Sequence, residues 1–125
     1  MDEWRDLKNM TKALADLARL SIVYHLAQHE EITVTALTEL LGLSQPLVSW
    51  HLRKLRRADL ITTRRVGRLV YCSLNKSRFE LGIRYLQDLI DPTNSLESIP
   101  VGAALVEAEI GMLAPTSSNS TSMVQ

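Results

Sequence analysis

The segment LSQPLVSWHLRKLRRADL, residues 43–60, contains the helix on which the predicted fold depends. Its start is typical of a helix, because a serine is followed two residues later by a proline. Apolar residues then recur at Val48, Leu52 and Leu55, which predicts one buried stripe along a helix over residues 45–57. The other sides of this helix carry cations and no carboxylate. Such a helix either has a solvated charged face or approaches a negatively charged partner.

The residues before this helix predict a shorter helix and a tight turn. The shorter helix is predicted over residues 36–41, with Thr35 as its N-cap and Gly42 as its C-terminal stop. Ser44 is predicted to cap the longer helix by accepting a hydrogen bond from the backbone N–H of Leu47. About three residues then separate the two helices, which is the spacing of a helix-turn-helix.

The chain changes period directly after residue 60. Segments rich in β-forming residues at 61–65 and 69–74 flank a glycine-containing turn at 66–68, so the sequence predicts a β-hairpin. Alternation places two sets of side chains on opposite faces of the hairpin, namely Val70, Cys72 and Leu74 on one face and Leu69, Tyr71 and Ser73 on the other.

Helices are also predicted on both sides of this unit. A first helix has an apolar stripe and is followed by a second that begins at Asp16, ends near Gln28, and precedes a short extended segment at 32–34. The last helix is predicted over residues 75–91 and is ended by Pro92. The predicted apolar stripes are, for the first helix, Trp4, Leu7, Thr11, Leu14 and Ala18; for the second, Leu20, Val23, Leu26 and Ala27; and for the last, Phe79, Ile83, Leu86 and Ile90.

The order of elements predicts a mainly α fold with a small β-hairpin, which is a winged helix-turn-helix. Residues 1–92 are predicted to form this domain, for DNA binding and dimerisation. Residues 93–113 are predicted to add a C-terminal helix, and residues 114–125 are polar and of low complexity, which predicts a disordered tail.

Composition excludes several other classes of protein. The chain has 125 residues, which suits one domain, and no apolar run reaches the ~18 residues of a membrane span. The acidic N-terminus is unlike a secretory signal, so we expect a cytoplasmic protein that does not associate with membranes. Cys72 is the sole cysteine, which excludes an intrachain disulfide and a cysteine-based metal cluster within one chain. No phosphate-binding glycine loop or nucleophile–base pair indicates an enzyme.

The charge of the chain is zero overall but is unevenly distributed. Seven cations and one carboxylate lie between Arg53 and Arg68, so that segment has a net charge of +6 and the rest of the chain −6. This concentration is typical of a local surface that binds nucleic acid. A solvated helix face is the alternative, but the cations continue from the helix into the hairpin.

The helix projection assigns roles to the predicted DNA-binding residues. Gln45 can present its amide to an adenine edge, Arg53 can reach guanine or a phosphate, and Ser49 can donate to either. Trp50 is expected to lie against sugars or a thymine methyl, or to fold back on the scaffold. His51 is expected to be a structural residue or a phosphate contact. The full predicted set is Ser44, Gln45, Pro46, Ser49, Trp50, His51, Arg53, Lys54 and Arg57 on the helix, with Arg64, Arg65 and Arg68 at the tip of the hairpin.

These motifs together resemble one known family. LADLARLSIVYHL from Leu14, and LTELLGLSQPLVSWHLRKLRRADLITTRRVGRLVYCSL after it, resemble the ArsR/SmtB family of bacterial dimeric winged-helix repressors over about residues 10–90. The V-S-x-H-L, L-R-x-A-x-L and G-R-x-V-Y patterns are specific in combination. Leu17 departs from the family, which commonly has proline there.

The resemblance implies double-stranded DNA as a partner, and a homodimer formed by the first and last helices. The apolar stripes of those helices exceed what a small core needs, which independently indicates a symmetric partner. Two recognition helices about one DNA turn apart would bind an imperfect inverted repeat. The predicted interface residues are Trp4, Leu7, Thr11, Leu14, Phe79, Ile83, Leu86 and Ile90.

The family is best known for sensing metals, but this sequence lacks the ligands of two of the family's metal sites. The helix before the turn has no cysteine or histidine, and the last helix has Glu80, Asp88 and Asp91 but no histidine. His25 and His29 are four residues apart, which can present two imidazoles to one metal, but a solvated pair is the favoured interpretation. No metal or other cofactor is therefore predicted.

Other kinds of control remain open from the sequence. Cys72 can be a thiol sensor, although its face of the hairpin favours an inert, buried residue. The regulator can bind an organic ligand at the dimer interface, respond to a protein through residues 96–113, or be constitutive.

Overall fold

The computed structural model describes residues 2–91, 93, 98, 101 and 102. The chain divides into one unit from Asp2 to Asn94 and another made of Met1 and Ser95–Gln125. The helix predicted over residues 93–113 is wrong at Thr93, which lies in a turn, and at Ser98, which is not helical, whereas Val101 and Gly102 are helical. The rest of that prediction, and the predicted tail, lie outside the described residues.

The unit from Asp2 to Asn94 is a winged helix-turn-helix, as predicted. Its three strands form one antiparallel sheet in the order β1-β3-β2. The elements are α1 (Asp2–Leu14), α2 (Leu17–Gln28), β1 (Ile32–Thr33), α3 (Val34–Leu41), α4 (Gln45–Arg57), β2 (Ile61–Val66), β3 (Leu69–Leu74) and α5 (Lys76–Ile90).

Capping side chains set the starts of these helices. The prediction for α4 is confirmed, since Ser44 is its N-cap and its hydroxyl accepts from the Leu47 N–H at 3.4 Å. The prediction for α3 is wrong by two residues. Thr33 is the N-cap, with its hydroxyl 3.1 Å from the Ala36 nitrogen, and Thr35 lies inside the helix. Strand β1 therefore ends at Thr33, where the chain turns directly into α3.

Asp16 and Asn75 also cap helices rather than belong to them. The carboxylate of Asp16 accepts from the Arg19 N–H at 3.1 Å, and the side-chain oxygen of Asn75 accepts from the Arg78 N–H at 3.4 Å. Asn75 also donates from its side-chain amide to the carbonyl of Asp59 at 2.9 Å. This bond fixes the end of the hairpin to the turn that follows α4.

The hairpin is tighter than predicted. Val66 pairs with Leu69, so the loop contains only Gly67 and Arg68. Gly67 has a φ of +60°, as the first loop residue of a type II′ hairpin requires. Ile32 of β1 pairs with Cys72, which attaches the hairpin to the helical core through a third strand.

The core forms where α4 packs against the other helices and the base of the sheet. The predicted stripe of α4 is confirmed, because Val48, Leu52 and Leu55 are all buried. The predicted stripe of α2 is wrong at two positions: Leu20 is half exposed and Ala27 is exposed. The residues of α2 that are fully buried are Ile22 and Leu26.

Helices α1 and α5 pack against each other within the chain. Gly82 is buried, and a Cβ at this position would overlap the side chain of Met10. An ion pair of 3.0 Å joins Arg78 to Asp6. The expectation that the stripe of α1 lacks an intrachain partner is therefore wrong for Leu7, which is a core residue.

Two other members of the predicted interface, Leu14 and Phe79, are also partly buried and pack against the core. Thr11 is exposed, and its hydroxyl donates to the Leu7 carbonyl at 2.9 Å. The α5 residues Ile83, Leu86 and Ile90 are exposed by 51%, 41% and 82%.

The burial pattern of α3 predicts that two leucines three residues apart contribute differently to the free energy of unfolding. Leu37 is fully buried and Leu40 is 53% exposed. We expect Leu37→Ala to reduce the free energy of unfolding by about 2–5 kcal/mol, since it leaves a cavity in the core. Leu40→Ala is the matched control and is expected to change it by less than about 0.5 kcal/mol. Urea denaturation followed by circular dichroism measures both, and equal effects would contradict this packing.

Candidate nucleic-acid interface

One cationic groove lies between α4 and the hairpin, with a volume of about 350 Å³. We call it the α4–hairpin groove. None of the described residues that line it is a carboxylate. Its principal polar residues are Gln45, Ser49, Arg53 and Arg56 from α4, with Arg65 and Arg68 from the hairpin.

The rotation of α4 brings these residues together. Because Val48, Leu52 and Leu55 are turned inward, Ser49 and Arg53 lie on the side of the helix that faces the hairpin. The three sequence-predicted base readers, Gln45, Ser49 and Arg53, therefore line the same groove.

Arg56 belongs to this groove although it was absent from the predicted set. Its guanidinium donates to the hydroxyl of Thr63 in β2 at 3.4 Å, which directs it toward the hairpin. Its position was available from the sequence, because a residue three positions after Arg53 lies on the same side of a helix. Thr35 lines the groove from α3 and was likewise missed as a site residue.

Arg64 is separated from the other hairpin arginines. Its guanidinium makes a bidentate ion pair with Glu31 at 2.7 and 2.8 Å, and it lies 4.6 Å from the ring centroid of Tyr71. The hydrogen bonds from Arg64 lower the pKa of the Glu31 carboxyl from its usual value. Arg64 thus fixes the hairpin to the segment before β1, whereas its neighbour Arg65 points to the opposite face.

Trp50 packs on the scaffold. Its ring centroid is 5.0 Å from the Lys54 nitrogen and 5.7 Å from the Arg19 guanidinium carbon. It also makes an edge contact with the ring of His51, at 5.0 Å between centroids. The indole remains 42% exposed. These contacts agree with the second expectation for Trp50, that it folds back on the scaffold.

His51 is buried, with 6% exposure. Its Nδ1 lies 3.1 Å from a guanidinium nitrogen of Arg19 and 3.7 Å from a carboxylate oxygen of Asp16. Since arginine can only donate, Nδ1 accepts this bond. The Arg19 Nε donates to the Ala13 carbonyl at 2.6 Å. These contacts join the α1–α2 junction to α4, which favours the structural role for His51 over a phosphate contact.

Lys54 and Arg57 line a different groove, on the opposite side of α4. We call it the α1–α4 groove; its volume is about 410 Å³. Other contributors are Asn9 and Lys12 from α1, with Arg19 and Trp50. The structure therefore divides the predicted DNA-binding residues between two grooves. Ser44 and Pro46 are exposed at the start of α4 and line neither.

Cys72 is fully buried in the sheet. Burial raises the pKa of its thiol to about 11, an effect that the charge of Arg56 only partly opposes. The reactive thiolate is therefore scarce at neutral pH, which disfavours a thiol sensor at this position.

His25 of α2 and His29, the C-cap of that helix, have local partners. The Nδ1 of His29 lies 3.0 Å from the carbonyl of His25, and the ring of His25 contacts that of Tyr24 edge to face. Among the described residues, no three His, Cys, Asp or Glu side chains are arranged to hold a metal ion. Within the same residues, no helix has the length and apolarity to cross a bilayer.

Comparison with known proteins places this arrangement among bacterial regulators. Residues 16–63 match the family model described as bacterial regulatory protein, arsR family. The arsenical resistance operon repressor of Bacillus subtilis (strain 168) is 41% identical over 71 residues, which are 57% of this chain and 68% of that protein. The nodulation protein NolR of Rhizobium meliloti is 37% identical over 90 residues, which are 71% of this chain and 73% of that protein.

Solved structures agree with the fold. The crystal structure of NolR from Sinorhizobium fredii is 32% identical, with a TM-score of 0.56 over 71% of this chain and 88% of that one. Reduced HlyU from Vibrio cholerae is 28% identical, with a TM-score of 0.57 over 69% of this chain and 92% of that one.

The burial of Cys72 predicts a pH effect on stability. The folded-state pKa of about 11 is above the unfolded value of about 8.5, so the unfolded chain loses its proton first as pH rises. We expect the free energy of unfolding to fall between those two pH values by up to about 1.4 kcal/mol per pH unit. Urea denaturation at several pH values measures this fall. The Cys72→Ala variant has no thiol to titrate, so this fall is expected to be absent from it.

A chemical control accompanies the pH series. Iodoacetamide at neutral pH is expected to modify the native protein far more slowly than the urea-unfolded protein, because the folded chain buries the thiol. Equal rates of modification would show that Cys72 is accessible.

Proposed function

The chain belongs to the arsR family of bacterial regulatory proteins, and from this premise we propose that it is a homodimeric transcriptional repressor that binds an inverted-repeat operator in double-stranded DNA. Its relatives are transcriptional regulators rather than enzymes. The observation that carries the proposal is the α4–hairpin groove, whose described lining combines four arginines and the polar side of α4 and includes no carboxylate.

In this proposal α4 enters the major groove and reads bases. Gln45 and Ser49 lie in its first turns, where their short polar side chains can bond base edges. Arg53 follows on the same side and can bind guanine with its guanidinium fork. Base readout by these three residues provides the specificity of the operator.

The hairpin supplies contacts to the backbone and the minor groove. Arg65 and Arg68 line the α4–hairpin groove and point away from the core. They can neutralise phosphates or enter a narrow minor groove. Arg64 is not included in this role, since Glu31 already neutralises its charge.

The dimer is proposed to form through the exposed apolar side of α5. Ile83, Leu86 and Ile90 lie on that side, and such contiguous apolar residues on a surface indicate a protein partner. A second copy with the same side of α5 satisfies this need through two-fold symmetry. The partly buried Trp4 of α1 is predicted to extend this surface.

We do not propose that a metal controls the protein through either of the two family metal sites, one on α3 and one on α5. Helix α3 has no cysteine or histidine, and α5 has no histidine. The carboxylates of α5 alone would bind Zn²⁺ or softer ions weakly.

Salt dependence tests the DNA-binding part of the proposal. Fluorescence anisotropy with labelled duplex DNA is expected to show that the logarithm of the binding constant falls linearly with the logarithm of salt concentration. Arg68→Ala is expected to weaken binding and to reduce that slope by about 1, because one proposed phosphate contact is lost from the interface. Arg5→Ala, on the exposed side of α1, is the matched control. No binding even at low salt would refute the proposal.

Base readout is tested separately by specificity. Gln45→Ala is expected to reduce the preference for operator over random duplex, because the amide is proposed to bond a base. Competition binding with both duplexes measures this preference. An equal loss of affinity for the two would contradict base readout by Gln45.

The dimer is tested by charge on α5. Ile83→Asp combined with Leu86→Asp is expected to give monomers, because two carboxylates per chain would be buried in the proposed interface. Sedimentation velocity measures the oligomeric state, and circular dichroism checks that the helices persist. Leu40→Asp places a carboxylate on another exposed apolar position and is expected to leave the dimer intact. A dimer that survives the α5 double substitution would place the interface elsewhere.

A further inference from the structure

We propose that the α1–α4 groove is a binding site for a small aromatic carboxylate. Nothing in the DNA-reading role of the α4–hairpin groove accounts for this second groove, which lies on the other side of the same helix. Its effect on operator binding, described below, rests on the proposed function; the binding of the ligand itself does not.

The charge of the groove favours an anion. Lys12, Arg19, Lys54 and Arg57 line it, and they are the charged residues of its wall within the part of the chain that the structure describes. The carboxylate of Asp16 is nearby in the chain but is not part of the wall, and it accepts the backbone N–H of Arg19. An incoming carboxylate would therefore meet cations without an acidic competitor in the lining, and charge-assisted hydrogen bonds to such groups are the stronger class.

The wall also has an apolar part, which favours an aromatic ligand over a simple ion. The indole of Trp50 lies in the groove and keeps 42% of its surface exposed. Ala13 and Ala58 add small apolar surfaces beside it. A volume of about 410 Å³ is within the range of small-molecule sites. A single-ring body can cover the exposed indole, and aromatic rings in contact gain energy beyond the area they bury.

The cationic part of the groove is held in position before any ligand binds. The Arg19 Nε donates to the Ala13 carbonyl at 2.6 Å, and another guanidinium nitrogen lies 3.1 Å from the Nδ1 of buried His51. Lys54 lies 5.0 Å from the centre of the indole. A guanidinium fixed in this way loses little freedom when it binds a carboxylate, so preorganisation contributes to affinity.

Position favours a small molecule over DNA phosphate as the occupant. The groove has α1 as its second wall, through Asn9 and Lys12, and the part-buried Arg19 lies between the helices. Phosphates of a duplex contact protruding side chains, whereas a small ligand can enter between two helices and reach Arg19 and Trp50 together. Lys54 and Arg57 lie on α4, the helix proposed to enter the major groove, so a bound carboxylate would lower the positive charge beside the DNA and weaken operator binding.

The binding is tested without DNA by tryptophan fluorescence. The chain has two tryptophans, so Trp4→Phe leaves Trp50 as the reporter. Benzoate is the probe, and acetate, benzyl alcohol and inorganic phosphate supply the charge or the ring alone. We expect a saturable change in emission with benzoate, and affinities weaker by about tenfold or more for the other three, because each lacks one of the two contacts.

Two double variants locate the site. Lys54→Ala with Arg57→Ala is expected to weaken benzoate binding by about tenfold or more, since both cations line the groove. Lys8→Ala with Lys76→Ala removes two exposed cations outside the groove and is expected to leave it unchanged. Circular dichroism checks that both variants fold, and isothermal titration calorimetry repeats the measurement without relying on Trp50.

The outcomes separate this site from the proposed function. Saturable benzoate binding that depends on Lys54 and Arg57 supports the site even if the protein binds no DNA. Absence of saturation, or equal binding of benzoate, acetate and phosphate, overturns the site even if DNA binding is normal. If the Lys54→Ala and Arg57→Ala variant loses DNA affinity while wild-type protein does not bind benzoate, the groove serves phosphate contact only and the inference is wrong.

Discussion

The packing of Val48, Leu52 and Leu55 into the core fixes the rotation of α4 about its axis, and both cationic grooves depend on that rotation. With this stripe inward, Ser49 and Arg53 face the hairpin, while Trp50 faces α1. The contact between Arg19 and buried His51 adds a polar constraint on the same helix from the α1–α2 junction. A helix held by both apolar and polar contacts presents its outer side chains in one arrangement, which is what recognition of a fixed DNA surface requires.

The hairpin is fixed to the same core by different interactions. Strand β1 pairs with β3 between Ile32 and Cys72, and the bidentate bond between Arg64 and Glu31 holds β2 to the segment that precedes β1. Arg65 consequently faces the α4–hairpin groove, as alternation along a strand requires once Arg64 is fixed. The cationic segment seen in the sequence is thus divided by the fold: some cations line grooves and one is neutralised within the chain.

Local signals in the sequence were sufficient for the fold and for the central part of the site. The cap at Ser44 and the buried stripe predicted α4, because capping and helical period depend on neighbouring residues. The face of α2 was not predictable in this way, since apolar residues lie on several sides of it and only packing selects Ile22 over Leu20. The cap of α3 was predicted at Thr35 but is Thr33, where the pairing of β1 with β3 ends.

Contacts between distant segments explain the remaining differences. Neither the pairing of Arg64 with Glu31, 33 residues away, nor the contact of Arg19 with His51, 32 residues away, has a periodic signature. The same is true of the packing of α1 on α5, which places Leu7 in the core rather than on a free surface. The division of the α4 cations between two sides follows from helical geometry, but which side faces the hairpin became known only from the fold.

The central claim is that α4 and the hairpin of a dimer read a specific duplex. Selection of bound sequences from a random duplex library, at a salt concentration that suppresses non-specific binding, tests it most directly. The account predicts an enriched inverted repeat whose half-sites are about one helical turn apart, and a different half-site when Gln45→Ala is used. A recovered pool that cannot be distinguished from the input library would contradict it.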